Sequence, residues 1–274
     1  LTRRLNIWLL SALLIIAVPY YWFLADAGAG PGANDVRPQP VTIDMLRRMA
    51  TTGNGQSPVE LRVETVGLRL TSRNMLVAGS GLRQLPNVVR AYELIVPGAA
   101  PLIIDRGISR AAAAEHGFAS FDTQAQARVG AAIARATHVI ELSDRPSHNG
   151  GHATGTRRVK DAFLASGGAP YTLAPGVVVI PARGLAPGTA MVYVRLSDDH
   201  EYLFTGDVAP LHRSWHDLRL PARLATRSEA RTFRESNLSW LMTINALHRA
   251  APRMTIVTGH EPSEIPFSAG TFSD

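Results

Sequence analysis

At 274 residues, 46% of them hydrophobic and 18% charged, the chain has a globular composition and room for one large domain or two small ones. Its formal charge is +6, but the 28 basic residues, all arginine except Lys160, are scattered rather than gathered into a run, which argues against a nucleic-acid partner. The lack of cysteine excludes disulfides, thiolate metal sites and cysteine nucleophiles together.

The first element is the apolar run Ile7–Leu24, interrupted only by Ser11 and Pro19 and close to the roughly 20 residues needed to cross a bilayer. Arg3 and Arg4 precede it, and Tyr20, Tyr21 and Trp22 crowd its far end. That asymmetry places the helix N-terminus in the cytoplasm and the remainder of the chain on the periplasmic or extracytoplasmic side, with the membrane as a partner through this single helix. The small-x-small triplet Ala25-Asp26-Ala27 leaves a cleaved signal peptide as the alternative. The chain then divides into an anchor or signal peptide over 1–27, a linker with a short helix over 28–58, and one domain over 59–274. Within the linker, Gly28 to Pro40 is rich in Gly, Ala and Pro and is expected to be a flexible spacer.

Beyond the linker, strand-like and helix-like segments alternate. Val59, Leu61 and Val63 alternate with polar residues and, after a change of phase, so do Val66, Leu68 and Leu70, which predicts one bulged strand or two short ones. Further strands are predicted at Tyr92–Val96, Leu102–Ile104, Val139–Leu142, Val177–Ile180, Met191–Leu196, Glu201–Thr205 and Met254–Val257. Helices are predicted over Thr123–Ala136 and Ser228–Arg249, the second long enough to cover a sheet face. Such an order fits a layered α/β domain with two sheets enclosed by helices.

Five segments carry the functional signal. Leu102 to Gly107 is an apolar strand ending in Asp-x-Gly; His138 to Leu142 is a strand followed by the loop Ser143 to His152; Gly184-Leu185-Ala186-Pro187-Gly188 precedes another strand. Thr205-Gly206-Asp207 and Thr258-Gly259-His260 each end a strand. This succession resembles the metallo-β-lactamase superfamily over roughly Val59 to His260, in order and strand context more than in any single motif. The resemblance implies a four-layer αββα sandwich, here preceded by one transmembrane helix, with metal ligands on loops at one edge of the sheets.

The family's motif His-x-His-x-Asp-His-x-Gly-Gly aligns with Ser143 to Gly151, which puts Ser143 and Arg145 at the first two histidine positions, Ser147 at the aspartate, and His148 at the last histidine. Leu185 falls where the family has a ligand before Thr-Pro-Gly, while Asp207 and His260 match the bridging aspartate and the final histidine. By this correspondence one metal position is abolished, and the other keeps His148, Asp207 and His260. Two histidines and a carboxylate with an open fourth position suit one zinc or another divalent ion, and such an ion lowers the pKa of a coordinated water. The resemblance thus implies at most one metal, or none, with Asp207 and His148 as the catalytic candidates.

Each residue also has a plainer explanation. His148 suits an ordinary loop histidine beside a permissive Gly150-Gly151 turn, Asp207 a strand-end brace through local hydrogen bonds, and His260 a solvated turn residue. His152, four residues beyond His148, shares a helical face with it if a helix begins there. His116, His138, His200, His212, His216 and His248 match no ligand position. Arg145 either replaces the missing cation and pairs with Asp207, or points into water beside Asp144, the second being preferred. Arg183 is a further candidate for meeting an anionic substrate.

Three functions fit these residues. The first is a one-metal hydrolase acting on a small-molecule ester, lactone, amide or phosphoester, by analogy with the fold. The second is a pseudoenzyme that binds a ligand or partner through the remnant pocket, and the third is a tethered structural domain. Ser80 lacks the Gly-x-Ser-x-Gly elbow needed for a serine-based alternative.

Overall fold

The computed structural model describes residues 2–30, 33–151 and 166–272. The two alternating stretches that differ in phase are one strand, β1 (Glu60–Ser72), whose antiparallel pairing with β2 (Gln84–Ile95) shifts between Thr65 and Gly67. The intervening Val66 is fully buried, so the bulge keeps the apolar set of both halves on core positions. With β3 (Leu102–Ile104), β4 (Ser120–Phe121) and β5 (His138–Ile140) these strands form a five-stranded sheet of order β4-β1-β2-β3-β5. The second sheet contains β6 (Tyr171–Ala174), β7 (Val177–Pro181), β8 (Ala190–Arg195), β9 (Glu201–Gly206) and β10 (Thr255–Thr258), in the order β10-β9-β8-β7-β6.

Burial sorts the apolar residues into three layers of core. Between the sheets lie Leu94, Ile104, Val192, Tyr202 and Phe204. Helices α4 (Arg110–Glu115) and α5 (Thr123–Arg135) cover the outside of the first sheet through Ala112, Ala125 and Val129. Helices α2 (Ile43–Ala50) and α8 (Phe233–Ala250) cover the second through Leu46, Leu241 and Ile244. The result is the expected αββα sandwich. Three short helices, α3 (Arg73–Leu76), α6 (Pro146–Asn149) and α7 (His212–His216), lie in the loops.

At the N-terminus, α1 (Thr2–Tyr20) continues as a π-helical turn through Tyr21–Ala25. Within Thr2–Ala25 an 18-residue window has a mean hydropathy of 2.0 and no buried residue, so the helix is long and apolar enough to cross a membrane; a signal sequence meets the same description.

The structure departs from the sequence-based expectations in four places. The segment after the apolar helix is strapped to the domain instead of standing free as a spacer: Arg234 donates to the carbonyls of Asp26 and Gly28, and the Gln39 backbone N–H donates to Thr243 Oγ1 at 2.8 Å. Strand β2 begins eight residues before Tyr92 despite Pro86; because β3 pairs only with Tyr92 to Leu94, one side of β2 is open at Pro86 and tolerates the missing N–H. Strand β6, half-buried at an edge, lacked an apolar signature. The last long helix starts at Phe233 rather than Ser228, because the preceding residues run in turns that hold Glu229 toward Arg145.

If α2 is a core element, Leu46→Ala should lower the unfolding free energy by about 2–5 kcal/mol, since Leu46 is fully buried among the residues that cover the second sheet. Urea denaturation of the two proteins should separate their midpoints by a corresponding amount; coincident curves would mean that residues 43–50 are dispensable to the core.

Candidate metal centre

The loops that follow β5, β9 and β10 meet at one edge of the two sheets. Gly259 explains how two of them come so close: a Cβ there would lie 2.4 Å from the Gly206 carbonyl oxygen, so only glycine lets the ends of β9 and β10 abut. Asp207 and His260, the residues that follow these glycines, are thereby brought side by side. The third loop turns through α6, with Pro146 at its start and Gly150 at φ +73° at its end, and presents His148 inward. Gly151 is equally constrained, since at φ +76° a Cβ would strike Ala112 Cβ at 2.7 Å.

His148, Asp207 and His260 converge, with one ligand atom from each lying within 4.8 Å of the others. Both histidines are buried, at 2% and 6% exposure. His148 Nδ1 lies 2.7 Å from Asp105 Oδ2, and His260 Nδ1 lies 3.2 Å from the Val88 carbonyl oxygen. A carbonyl accepts only from N–H, so Nδ1 of His260 carries its proton, and the same tautomer has the His148 Nδ1–H donating to Asp105 Oδ2. Each ring therefore turns Nε2 toward the same carboxylate oxygen, Asp207 Oδ1, at 3.1 Å from His260 and 3.3 Å from His148. The His148 contact is too poorly aligned for a hydrogen bond, leaving its Nε2 and Asp207 Oδ2 buried without hydrogen-bond partners.

Three electron-pair donors pointing at one another require positive charge between them. A divalent ion meets that requirement with the donor set a zinc site uses, and the residues present fit one such ion. The alternative cation is a proton on Nε2. Burial opposes the imidazolium form of His148, but the Asp105 and Asp207 carboxylates outweigh it and push its pKa up to about 10. Asp207 shows the converse: burial alone would raise it, yet His148, His260 and Arg145 hold it well below the usual carboxylate range. Burial raises Asp105, while His148 and the Leu142 N–H oppose that shift, so the Asp105–His148 pair retains a proton between Nδ1 and the carboxylate.

Arg145 does not point away into water beside Asp144. Its Nε lies 3.6 Å from Asp207 Oδ2 and its Nη2 2.7 Å from Glu229 Oε1, with the side chain half exposed. The preference for the solvated position is therefore corrected: the buried Asp207 charge draws the guanidinium in, and Glu229 holds its other edge. Ser143 is buried, and its Oγ accepts the Arg145 backbone N–H at 3.1 Å. Ser147 and Leu185 share with Arg145, Asp207 and His260 the wall of a cavity of about 420 Å³. His260 is buried rather than a solvated turn residue, and Asp207 faces side chains from other loops. Arg183 turns to the Gly168 carbonyl oxygen at 2.9 Å. His152 lies outside the described residues.

Two contributors escaped sequence reasoning. Asp105, at the Asp-x-Gly end of β3, adopts φ +63° while buried, and its Oδ1 accepts the Leu142 N–H at 2.8 Å. Such a backbone costs about 1–3 kcal/mol unless its surroundings hold it; the visible signal was an aspartate closing an apolar strand. Glu229 lies 84 residues from Arg145 and had no local signal.

No family model and no curated protein matches the chain. Solved structures do. A quorum-quenching N-acyl homoserine lactone lactonase is 16% identical with a TM-score of 0.59, covering 76% of this chain and 95% of its own. An N-acyl homoserine lactone hydrolase with the product N-hexanoyl-L-homoserine bound at its catalytic metal centre gives the same figures. A B. thuringiensis AiiA variant with N-decanoyl-L-homoserine bound at the active site is 16% identical with a TM-score of 0.57 over the same shares. The chain thus has the metallo-β-lactamase type of α/β fold.

The charge pattern sets the pH dependence of the metal-free protein. The folded value of His148 lies above its ordinary 6.5, so its contribution to stability is complete below 6.5 and disappears as pH rises through about 10. Asp207 lies below its ordinary 3.8, so its contribution is present above 3.8 and disappears as acidification passes its folded value. Thermal unfolding in the presence of chelator should therefore show a midpoint that declines between pH 6.5 and 10, with the decline reduced in His148→Gln. A flat profile over that interval in the unsubstituted protein would show that His148 is neutral when no metal is bound.

Proposed function

We propose that this protein is a membrane-anchored, hydrolase-like member of its fold class that uses at most one divalent metal, most simply zinc, held by His148, Asp207 and His260, to open an ester or lactone carrying an acyl group. The observation that carries this reading is the convergence of the two Nε2 atoms on Asp207 Oδ1, with both Nδ1 atoms engaged on the far side. Within the broader set of esters, lactones, amides and phosphoesters, the choice of acyl ester or lactone is supported by apolar cavity walls, including Met75, Leu76 and Phe233, and by the lactone hydrolases that share the fold.

A bound metal supplies Lewis acidity and lowers the pKa of a coordinated water. The remaining work falls to side chains. Asp105 orients the His148 ring and keeps its proton on Nδ1, leaving Nε2 to the metal. Arg145 occupies a motif position that holds a metal ligand elsewhere in the family, with its half-exposed guanidinium on the cavity wall, where it can meet developing negative charge on a substrate oxygen or a product carboxylate. The apolar walls exclude water from the substrate's chain. The Thr2–Ala25 helix holds the domain at the membrane, on the extracytoplasmic side.

A second reading draws on the same arginine. Arg145 already places one positive charge at Asp207, and a protonated His148 adds another, so the site can persist without metal as a pocket that binds ligand without turning it over.

Metal titration separates the two. The full chain purified without chelator should bind about one zinc ion, and not two, because Ser143, Arg145 and Leu185 offer no second set of ligands. Affinity should rise with pH by up to about one log unit per unit while His148 must release its Nε2 proton, continuing toward the value near 10. His260→Ala should lose both the metal and hydrolysis of a generic acyl ester or lactone; His216→Ala should lose neither. Two tightly held ions would overturn the assignment of ligands, and no ion at neutral pH with zinc in excess would favour the non-catalytic reading.

A further inference from the structure

The end of the apolar helix is fastened to the same two segments that wall the cavity. Tyr20 Oη lies 3.4 Å from Asn74 Nδ2, the Leu24 carbonyl accepts the Gly79 N–H at 3.1 Å, and the Phe23 carbonyl accepts the Leu224 N–H at 3.1 Å. Asp26 takes Arg223 Nε at 2.9 Å, and the Arg223 guanidinium stacks 4.1 Å above the Trp22 ring. Of these two segments, one supplies Met75 and Leu76 to the cavity wall, and the other supplies Pro221 and Ala225. Cavity rim and helix exit are therefore neighbours: Asn74, which meets Tyr20, precedes Met75 of the cavity wall, and Leu224, which meets Phe23, precedes Ala225.

The surface around that junction suits a lipid headgroup layer. Leu224, whose N–H donates to the Phe23 carbonyl, is 39% exposed, the rings of Trp22 and Phe23 are half exposed, and Leu82, three residues beyond Gly79, is 61% exposed. Segments 73–83 and 212–231 carry seven arginines against two acidic residues, and both acids are already engaged, Asp217 by Arg213 and Glu229 by Arg145. Apolar side chains among cations at the end of a hydrophobic helix match an anionic bilayer surface in both polarity and charge.

The cavity lining is mixed: Arg69, Asn87, His116 and Arg145 share it with the apolar side chains of Met75, Leu76, Phe118 and Phe233. Arg145 supplies a permanent cation beside Asp207 and His260, while Met75, Leu76 and Phe233 line the way past it. We propose that this cavity receives a single-chain amphiphile, an acyl ester, acyl lactone or the corresponding carboxylate, laterally from the bilayer that holds the apolar helix, with its head group at Arg145 and its chain running past Met75 and Pro221 toward the helix exit. The proposal rests on the membrane reading of Thr2–Ala25 and names a substrate class for the hydrolase reading, but binding of the chain requires neither metal nor turnover.

Photolabelling of the full chain in vesicles of phosphatidylcholine and phosphatidylglycerol tests it, with a diazirine-bearing fatty acid as the probe and peptide mapping as the readout. Adducts are expected at 75–76 and 221–226 as well as along the helix, and the cavity adducts should fall in proportion when extra lipid dilutes the probe within the bilayer. Arg145→Ala and Met75→Arg should each lower the cavity adducts several-fold while labelling of residues 5–22 stays constant as an internal reference. His260→Ala should keep the cavity adducts; if that variant shows them although no zinc binds and no ester is cleaved by any form of the protein, the amphiphile site stands and the hydrolase reading alone falls. Adducts confined to the helix, cavity labelling insensitive to lipid dilution, or unchanged yields in both Arg145→Ala and Met75→Arg would overturn the proposal.

Discussion

A largely buried carboxylate stays charged only with positive charge beside it, and Asp207 is the point from which this edge of the two sheets is organised. His148 and His260 each aim a ring nitrogen at its Oδ1, and Arg145 approaches its Oδ2. Asp105 and the Val88 carbonyl stand behind the two rings and determine which nitrogen faces inward. The strained backbone of Asp105 is held by its hydrogen bonds to Leu142 and His148, and Glu229 holds the far edge of Arg145. Removing the charge of Asp207 would leave three inward-facing groups without a common partner.

On the proposed reading, the same arrangement would give metal and proton a common seat: a histidine protonated without metal and ligating with it would keep the loops in register in either state. Arg145 shifts that balance, since its fixed charge already compensates part of Asp207 and weakens the pull on a second cation. Arg145 thus supplies fixed positive charge beside Asp207 from a side chain that also lines the cavity.

Much of the layered fold was legible because periodicity reports burial. The phase change between Val63 and Val66 announced the bulge in β1, and the apolar runs of β3, β7, β8 and β9 were long enough to stand out. Strand β6 and the start of β2 were not legible, because a half-buried edge strand and a strand containing Pro86 lack that pattern, and their pairing is decided by neighbours distant in sequence. For the candidate site, His148, Asp207 and His260 were singled out by the order of their motifs in the family resemblance, each being individually compatible with an ordinary turn residue. The direction of Arg145 was misjudged because it depends on two carboxylates, one of them 84 residues away. Asp105 went unassigned because an aspartate at a strand end is as often a turn residue as an orienting group.

One cation, proton or metal, is expected between His148 Nε2 and Asp207. Imidazole nitrogen NMR on isotope-labelled protein observes that position directly. Without metal at neutral pH, both nitrogens of His148 should carry protons, in keeping with a pKa pushed up to about 10. One equivalent of zinc should remove the proton from Nε2 while Nδ1 keeps the one it shares with Asp105. A His148 that retains its Nε2 proton with zinc in excess, or one that is neutral before any zinc is added, would contradict the account.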